Sequence, residues 1–425
     1  MIGVWRRIGS GLAVALAVTL MAGSVLVDAQ PARADQIRDL EYWLADYGFT
    51  QAWNTTKGAG VTVAVIDTGV DGTVADLAGA LTDGTDVSGI GSPNGQTPVG
   101  EKSDHGTLVA SLLAGRGTGP NAGLIGVAPE AQIMPISVAF GSSDSAISND
   151  DQIAEAIRWA VDNGASVINM SLTRNTLDWP ESWDDAFLYA FENDVVVVAA
   201  AGNRGSGTTE VGAPATIPGV LTVGGVDRNK EASFDASSQG ITISVAAPSE
   251  QLVGAVPGGG YVSWNGTSAA APIVSGLVAL VRAAYPKLSA ADVMNRIIAT
   301  ANPNGHEVPS PIYGNGLISA GAAVTADVPA ATGPTPTELL KEWIHLHRRA
   351  DTVPEETPAP EAIIPRIPVP DPPLPEQNLT AAWLPNQFTL TYVSIPLAVL
   401  VGFGTLVVLF GIGATRHLAR IRRRS

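Results

Sequence analysis

Short apolar runs alternate with segments of helical spacing between Glu41 and Val328. Four runs are nearly continuous in valine, isoleucine and alanine, as is typical of strands buried on both faces: VTVAVID, AQIMPISVAF, ASVINMSL and VVVVAAAGN. Three segments have the apolar spacing of helices: DHGTLVASLLAG, DDQIAEAIRWAVDNG and ESWDDAFLYAFEND. Asn149 or Asp150 is predicted to cap the second helix, and Gly164 to end it. The alternation predicts a three-layer α/β domain with a mainly parallel sheet.

The composition changes after Val328 to a stretch that is rich in proline and glutamate and has no core pattern. Such stretches are extended spacers, so residues 329–389 are predicted to be a linker. One short amphipathic helix, about Thr337 to Arg349, is expected to interrupt it. His345 and His347 lie two residues apart and do not share a helix face, so we interpret them as surface residues rather than ligands.

The amino-terminal end has the features of an export signal. Arg6 and Arg7 precede a long apolar stretch, and a small-x-small pattern ends at Ala34. Residues 1–34 are therefore predicted to be a signal peptide. Cleavage after Ala29 and an uncleaved signal anchor are the alternatives.

The carboxy-terminal end is predicted to cross a membrane once. Residues 390–414 carry no charge and are long enough to cross ~30 Å of hydrocarbon as a helix. Residues 415–425 follow with five arginines, and the positive-inside rule keeps such a tail in the cytoplasm. This basic end disfavours the alternative of a buried core helix. The predicted localisation is the cell membrane, with the domain of residues 35–328 on the extracytoplasmic side.

Bulk composition excludes several classes of function. The chain of 425 residues has a formal net charge of −16, which argues against a nucleic-acid partner because phosphate binding needs clustered basic residues. It has no cysteine, which excludes zinc–thiolate sites, thiol catalysis and disulfides. No carboxylate loop of the EF-hand kind occurs, so no cofactor is predicted. A calcium site built from distant loop residues stays open.

The tripeptide Asp-Thr-Gly at Asp67 has two unrelated catalytic uses. A single-chain aspartic protease needs a second carboxylate loop, and no other Asp-Thr-Gly occurs. Capping of the turn after the strand is the purely structural alternative. Three other segments favour a serine-protease site: His105 begins a predicted helix, Asn203 ends a predicted strand, and Ser268 begins a long apolar helix. The order Asp, His, Asn, Ser along the chain is that of the subtilisin triad with its oxyanion donor.

At these four segments the sequence resembles the subtilisin-like serine proteases, and the resemblance extends over roughly Glu41 to Val328. It implies that Ser268 is the nucleophile and that His105 is its general base. Asp67 would fix the tautomer of the imidazole and stabilise the imidazolium. The side chain of Asn203 would donate to the oxyanion.

The same resemblance implies where a protein or peptide substrate binds. The substrate would lie as an extended strand along Ser171, Leu172 and Thr173 by β-augmentation. Ala200 and Gly202 would line the side-chain pocket nearest the cleaved bond.

The whole chain resembles the mycosins, the membrane-anchored subtilases of actinobacterial type VII secretion systems. The resemblance rests on the order of signal peptide, proline-rich linker, one carboxy-terminal helix and an arginine tail. Members of that family commonly contain disulfides, whereas this chain has no cysteine. The resemblance implies processing of a secreted protein, and a structural subunit of a secretion membrane complex is the alternative. The short interval between Ala34 and Glu41 has no room for a domain-sized propeptide, so the mature enzyme is expected to fold unaided.

Overall fold

The computed structural model divides the chain into two compact units, residues 1–373 and 374–425. It describes residues 32–140 and 144–348, with the isolated positions 405 and 413, so the fold lies within the first unit. The predicted signal peptide is described only from residue 32 onward, and the predicted linker only up to residue 348. The predicted membrane helix and tail lie outside the described residues apart from positions 405 and 413. Those four assignments stay predictions.

Seven strands form one parallel sheet: β1 (Thr62–Asp67), β2 (Thr85–Asp86), β3 (Gln132–Ser137), β4 (Val167–Met170), β5 (Val196–Ala200), β6 (Leu221–Val226) and β7 (Ile243–Pro248). Their order across the sheet is β2-β3-β1-β4-β5-β6-β7. Two further strands, β8 (Leu252–Ala255) and β9 (Tyr261–Trp264), form an antiparallel ribbon. The predicted α/β class with a mainly parallel central sheet is confirmed.

Helices cover both faces of the sheet. The described helices are α1 (Ala32–Leu40), α2 (Tyr42–Asp46), α3 (Phe49–Ala52), α4 (His105–Ala114), α5 (Asn149–Asp162), α6 (Ser182–Glu192), α7 (Thr267–Ala284), α8 (Ala290–Ala299), α9 (Ala320–Thr325) and α10 (Pro336–His347). Val63 and Val65 of β1 belong to the core shared with α4 and α7, whereas Ala64 and Ile66 belong to the core shared with α5 and α6. This alternation makes the three layers, because successive side chains of a strand point to opposite faces.

The strands deliver the candidate residues to one edge of the sheet. β1 ends at Asp67, β4 ends just before Ser171, and β5 ends shortly before Asn203. Carboxyl ends of parallel strands meet at the same edge, which is where α/β folds bind ligands.

Helix α7 is the only helix in the described part of the chain that is long and apolar enough to cross a membrane, judged by length and composition alone. Its 18-residue stretch is 78% buried inside the domain. Packing at the centre of the domain therefore explains its apolarity. The predicted membrane helix at residues 390–414 lies outside the described residues apart from positions 405 and 413.

The predicted cap of α5 was wrong by one or two positions. Ser148 is the capping residue, because its extended backbone brings Oγ within 3.1 Å of the Asp151 amide that donates to it. Asn149 and Asp150 lie inside the first turn instead. The helix ends at Asp162, before Gly164, whose φ of +84° is left-handed.

The packed domain continues beyond the composition change at Val328. Helix α10 begins with a capping box in which Thr335 and Glu338 bond each other's backbone amides. Leu340 is fully buried in the core beside α6, and Arg348 donates to Asp184 of α6 at 2.8 Å. The short helix predicted at about Thr337 to Arg349 is confirmed as α10. Residues up to Arg348 pack on the domain, whereas the sequence around this helix was expected to be an extended spacer.

Candidate active site

Asp67 and His105 are hydrogen-bonded to each other in the site. His105 Nδ1 lies 2.8 Å from Asp67 Oδ1 and 3.0 Å from Oδ2. The carboxylate can only accept, so Nδ1 carries the proton and Nε2 is left as the acceptor. The Thr68 amide also donates to Oδ1 at 2.8 Å, and the Asp67 side chain is 1% exposed. The pair therefore holds the imidazole in the tautomer that a general base requires.

Gly106 allows α4 to start close against the turn that follows β1. A Cβ at this position would lie 2.1 Å from the carbonyl oxygen of Gly69. The Gly106 amide donates to Thr68 Oγ1 at 2.9 Å, which fixes the two segments against each other. This close contact places His105, the first residue of α4, beside the end of β1.

The surroundings of His105 raise the pKa of its imidazole. Burial is the largest single influence and lowers this pKa. The charge of Asp67 and the hydrogen bond to it raise the pKa and together outweigh burial. Asp104 also raises the pKa, whereas Lys102 lowers it. The ring is 23% exposed, and Trp264 packs edge-on against it at 5.7 Å between ring centroids. A raised pKa makes the imidazole a stronger proton acceptor.

Ser268 is the second residue of α7, and Gly266 is the capping residue of that helix. The backbone of Gly266 has a φ of +140°, and a Cβ there would lie 2.9 Å from Asn203 Nδ2. The Ser268 amide lies in the first turn of α7, where N–H groups have no acceptor within the helix, so it is a donor that α7 itself does not use. A free amide and the positive end of a helix dipole therefore lie next to the hydroxyl.

The Ser268 hydroxyl donates to the carbonyl oxygen of Ser171 at 3.1 Å. Within the described residues no hydrogen bond joins it to His105, although both side chains line the same cleft. Rotation of the serine side chain is needed before the hydroxyl can donate to Nε2. Long or absent catalytic hydrogen bonds are common in enzymes without substrate.

Asn203 is held through the oxygen of its side-chain amide. Oδ1 accepts from the Thr267 amide at 2.8 Å and from Thr267 Oγ1 at 2.9 Å. A backbone N–H can only donate, so the atom facing it is the oxygen, and Nδ2 faces the other way. Nδ2 has no hydrogen-bond partner in the described part of the chain. It is therefore a free donor in the cleft that contains Ser268.

One cleft of about 760 Å³ collects most of the sequence-predicted site residues: Asp67, His105, Ser171, Leu172, Thr173, Asn203 and Ser268. Ala200 and Gly202 are not among its lining residues. Ala200 is 1% exposed in β5, and the Gly202 amide donates to Thr267 Oγ1 at 3.0 Å. Their role in a substrate pocket stays a prediction.

The sequence did not single out two features of the cleft. Thr267 fixes both Gly202 and Asn203, and its place in the Gly-Thr-Ser motif was the available signal. An ion pair between Arg174 and Asp150 forms part of the wall, with the Arg174 guanidinium 5.5 Å from the Trp183 ring centroid. These residues come from three separate segments, so no local pattern connects them.

No group of three or more histidine, aspartate or glutamate side chains that could hold a metal ion occurs within residues 36–140 and 144–348. Two carboxylates that face loops, Asp71 and Asp86, are bonded by backbone amides of their own turns.

Comparison with known sequences gives one family. The profile of the subtilase family, Peptidase S8, matches residues 58–316. Subtilisin DY of Bacillus licheniformis is 39% identical over 270 residues, which are 63% of this chain and 92% of subtilisin DY. Subtilisin E of Bacillus subtilis is 37% identical over 271 residues, which are 63% of this chain and 66% of subtilisin E.

Solved structures give the same result. The MycP3 protease from the type VII (ESX-3) secretion system is 33% identical with a TM-score of 0.58, and the match covers 67% of this chain and 88% of MycP3. MycP1 from Mycobacterium smegmatis is 32% identical with a TM-score of 0.57, and the match covers 69% of this chain and 86% of MycP1. The chain therefore belongs to the subtilase family of serine proteases, and mycosin proteases are among its structural neighbours.

Proposed function

We propose that this protein is a membrane-anchored serine endopeptidase that processes secreted proteins of a type VII secretion system outside the cytoplasm. The observation that carries the proposal is the cleft in which Asp67, His105, Asn203 and Ser268 come together. The cleft provides an oriented base, a hydroxyl at a helix start and a free amide donor.

In the proposed reaction, Ser268 Oγ attacks the carbonyl carbon of the scissile peptide bond while His105 Nε2 takes its proton. Asp67 stabilises the imidazolium that forms. The negative charge on the substrate oxygen is bound by Asn203 Nδ2 and the Ser268 amide. His105 then gives the proton to the leaving amine, and an acyl-enzyme remains. Water attacks the acyl-enzyme by the same proton transfers and releases Ser268.

The substrate is proposed to bind as a strand along Ser171 to Thr173. Leu172 and Thr173 make no backbone–backbone hydrogen bond among the described residues, so their N–H and C=O groups are available to a peptide. Immediately after them, the Arg174 amide donates to Ala213 at 2.7 Å, which fixes the end of this open edge. An extended peptide would add main-chain hydrogen bonds there, as in β-augmentation.

The membrane and secretion parts of the proposal rest on sequence features and on similarity. The segment 390–414 with its basic tail supports an anchor. Structural neighbours include a protease from a type VII (ESX-3) secretion system and MycP1, described as an essential component of the type VII (ESX-1) system. Anchoring in the membrane would keep the cleft close to substrates as they leave such a system.

Labelling with a fluorophosphonate tests the catalytic part, because this reagent modifies only an activated serine. The full-length protein should be labelled, and Ser268→Ala should not. Ser237→Ala is the matched control, since this buried serine also makes two hydrogen bonds but does not line the cleft. Folded wild-type protein that resists the reagent would contradict the proposal.

The second candidate function is a structural subunit that stabilises a secretion membrane complex, with proteolysis secondary. The orientation of the Ser268 hydroxyl favours this function, because the hydroxyl donates to the carbonyl oxygen of Ser171 rather than to His105. Secretion by cells that carry Ser268→Ala distinguishes the two. Intact secretion would support the structural role, and loss of secretion with a stable protein would support proteolysis.

A further inference from the structure

Two hydrogen bonds in opposite directions join Ser171 to Ser268. Ser171 Oγ donates to the carbonyl oxygen of Ser268 at 2.8 Å. Ser268 Oγ donates to the carbonyl oxygen of Ser171 at 3.1 Å. Ser171 is 3% exposed, so the first bond is shielded from water. The side chain of Ser171 thus contacts the backbone of Ser268 directly.

The carbonyl of Ser268 is available because of a proline one turn later. In a regular helix the carbonyl of residue 268 would accept from the amide of residue 272. Residue 272 is Pro272, which has no N–H to donate. A buried carbonyl without a partner is costly, and the Ser171 hydroxyl supplies the missing donor.

Ser171 is itself held by a chain of buried polar groups. Asn169 Nδ2 donates to Ser171 Oγ at 3.0 Å, and Ser275 Oγ donates to Asn169 Oδ1 at 2.8 Å. Asn169 and Ser275 are both 0% exposed. Asn169 lies in β4, whereas Ser275 lies in α7, two turns after Ser268. The polar contacts therefore form a closed path from α7 to the sheet and back to the start of α7.

We propose that the Ser171 hydroxyl is a positioning group for the nucleophile, fixed by Asn169 and Ser275. The proposal rests on the proposed function, in which Ser268 attacks the substrate. The bond to the Ser268 carbonyl sets the orientation of the peptide unit that carries Oγ and the oxyanion-binding amide. Ser171 acts through Ser268, so it does not touch the reacting atoms through its hydroxyl. Misplacement of reacting groups by about 1 Å can reduce a rate ~10²-fold.

Ser171→Ala in the full-length protein tests this, because it removes the hydroxyl and keeps the backbone carbonyl and strand edge. The labelling rate by a fluorophosphonate is measured against reagent concentration, which separates the maximal rate constant from the half-saturating concentration. We expect the maximal rate constant to fall about 10- to 100-fold at an unchanged half-saturating concentration. Ser237→Ala is expected to keep both values. Ser275→Ala, which touches neither hydroxyl, is expected to lower the maximal rate constant by a smaller factor.

A purely structural role predicts a different result. Partial unfolding would reduce the fraction of molecules that become labelled, while the rate constant of the folded remainder would stay at the wild-type value. That result would overturn the proposal. Failure of the proposed function is distinguishable, because it would appear as folded wild-type protein that is not labelled at all.

Pro272→Ala provides the rescue. It introduces an amide that can donate to the Ser268 carbonyl in place of the missing hydroxyl. In Ser171→Ala/Pro272→Ala we expect the maximal labelling rate constant to recover several-fold over Ser171→Ala. Recovery of the melting temperature without recovery of this rate constant would assign Ser171 to the fold alone and overturn the proposal.

Discussion

Replacing Glu41 by glutamine is expected to stabilise the protein near neutral pH. Glu41 is 4% exposed, and its Oε1 accepts from the Ile125 amide at 3.0 Å. Its Oε2 is buried without a hydrogen-bond partner among the described residues. The Arg38 guanidinium lies 3.7 Å from Oε2, but it donates to the carbonyl oxygens of Gly123 and Ala122. One of the two carboxylate oxygens therefore lacks a donor, which makes the buried charge costly.

Burial is the main influence on the Glu41 carboxyl and raises its pKa to about 9. The charge of Arg38 and the hydrogen bond from the Ile125 amide lower this pKa, and the charge of Asp76 raises it. The folded state keeps a proton that the unfolded chain loses above the ordinary glutamate pKa of 4.5. The contribution of Glu41 to the free energy of unfolding is therefore highest below that pH and falls as the pH rises toward 9. At 1.36 kcal/mol per pH unit, protonation of Glu41 costs about 3 kcal/mol of stability at pH 7.

Glutamine keeps the acceptor for Ile125 and needs no proton, so Glu41→Gln should recover most of this amount. For a packed body of roughly 300 residues, about 3 kcal/mol corresponds to ~5 °C in melting temperature. Thermal unfolding of both full-length proteins by tryptophan fluorescence, from pH 5 to pH 8, measures the difference. It should be small at pH 5 and grow with pH. A difference that stays constant or shrinks with rising pH would refute the assignment of a protonated Glu41.

Three other variants test the site and the domain boundary. Asp67→Asn should lower the turnover number about 10⁴-fold, measured by steady-state kinetics. It should also move the acid limb of the pH profile to lower pH, because it removes the charge that raises the pKa of His105. Asn203→Leu should lower the turnover number ~10²- to 10³-fold with little change in KM, since the donor acts on the oxyanion. Leu340→Ala should cost about 2–4 kcal/mol in denaturant unfolding, because this side chain is fully buried where α10 meets the domain.

Leu340→Ala has a matched control in the same helix, and each of the three variants has a result that would contradict its assignment. Leu339→Ala changes the neighbouring position, which is 39% exposed, and should alter stability by less than about 0.5 kcal/mol. Equal losses from Leu339→Ala and Leu340→Ala would mean that α10 is not docked as described. An acid limb that Asp67→Asn leaves in place would show that another group controls it. If Asn203→Leu changed only KM, Asn203 would not be a residue that binds the oxyanion.

The sheet followed from local patterns, and the grouping of the catalytic candidates followed from their order along the chain and the resemblance that it carries. A buried parallel strand is a continuous apolar run, so the strand that ends at Asp67 was visible in the sequence alone. The order Asp, His, Asn, Ser along the chain, with the resemblance that rests on it, predicted that Asp67, His105 and Ser268 form one site. The cleft that contains His105 and Ser268 agrees with that expectation.

Contacts between distant segments did not follow from the sequence. The docking of α10 depends on Trp343 stacking near Trp179, at 4.2 Å between ring centroids, and on Arg348 reaching Asp184. The amphipathic pattern predicted the helix itself, but the proline-rich composition around it predicted an extended spacer and gave no sign that the helix packs on the domain. The orientation of the Ser268 hydroxyl depends on a carbonyl almost one hundred positions away in the chain, so no short motif reports it.

Gly266 links two groups of the cleft that belong to different parts of the chain. Any side chain at this position would meet the Asn203 amide, and the left-handed backbone disfavours one as well. Laboratory evolution of new cleavage preferences would therefore have to keep Gly266 invariant. Diversity is better introduced at Leu172 and Thr173, which line the cleft without supporting the amide.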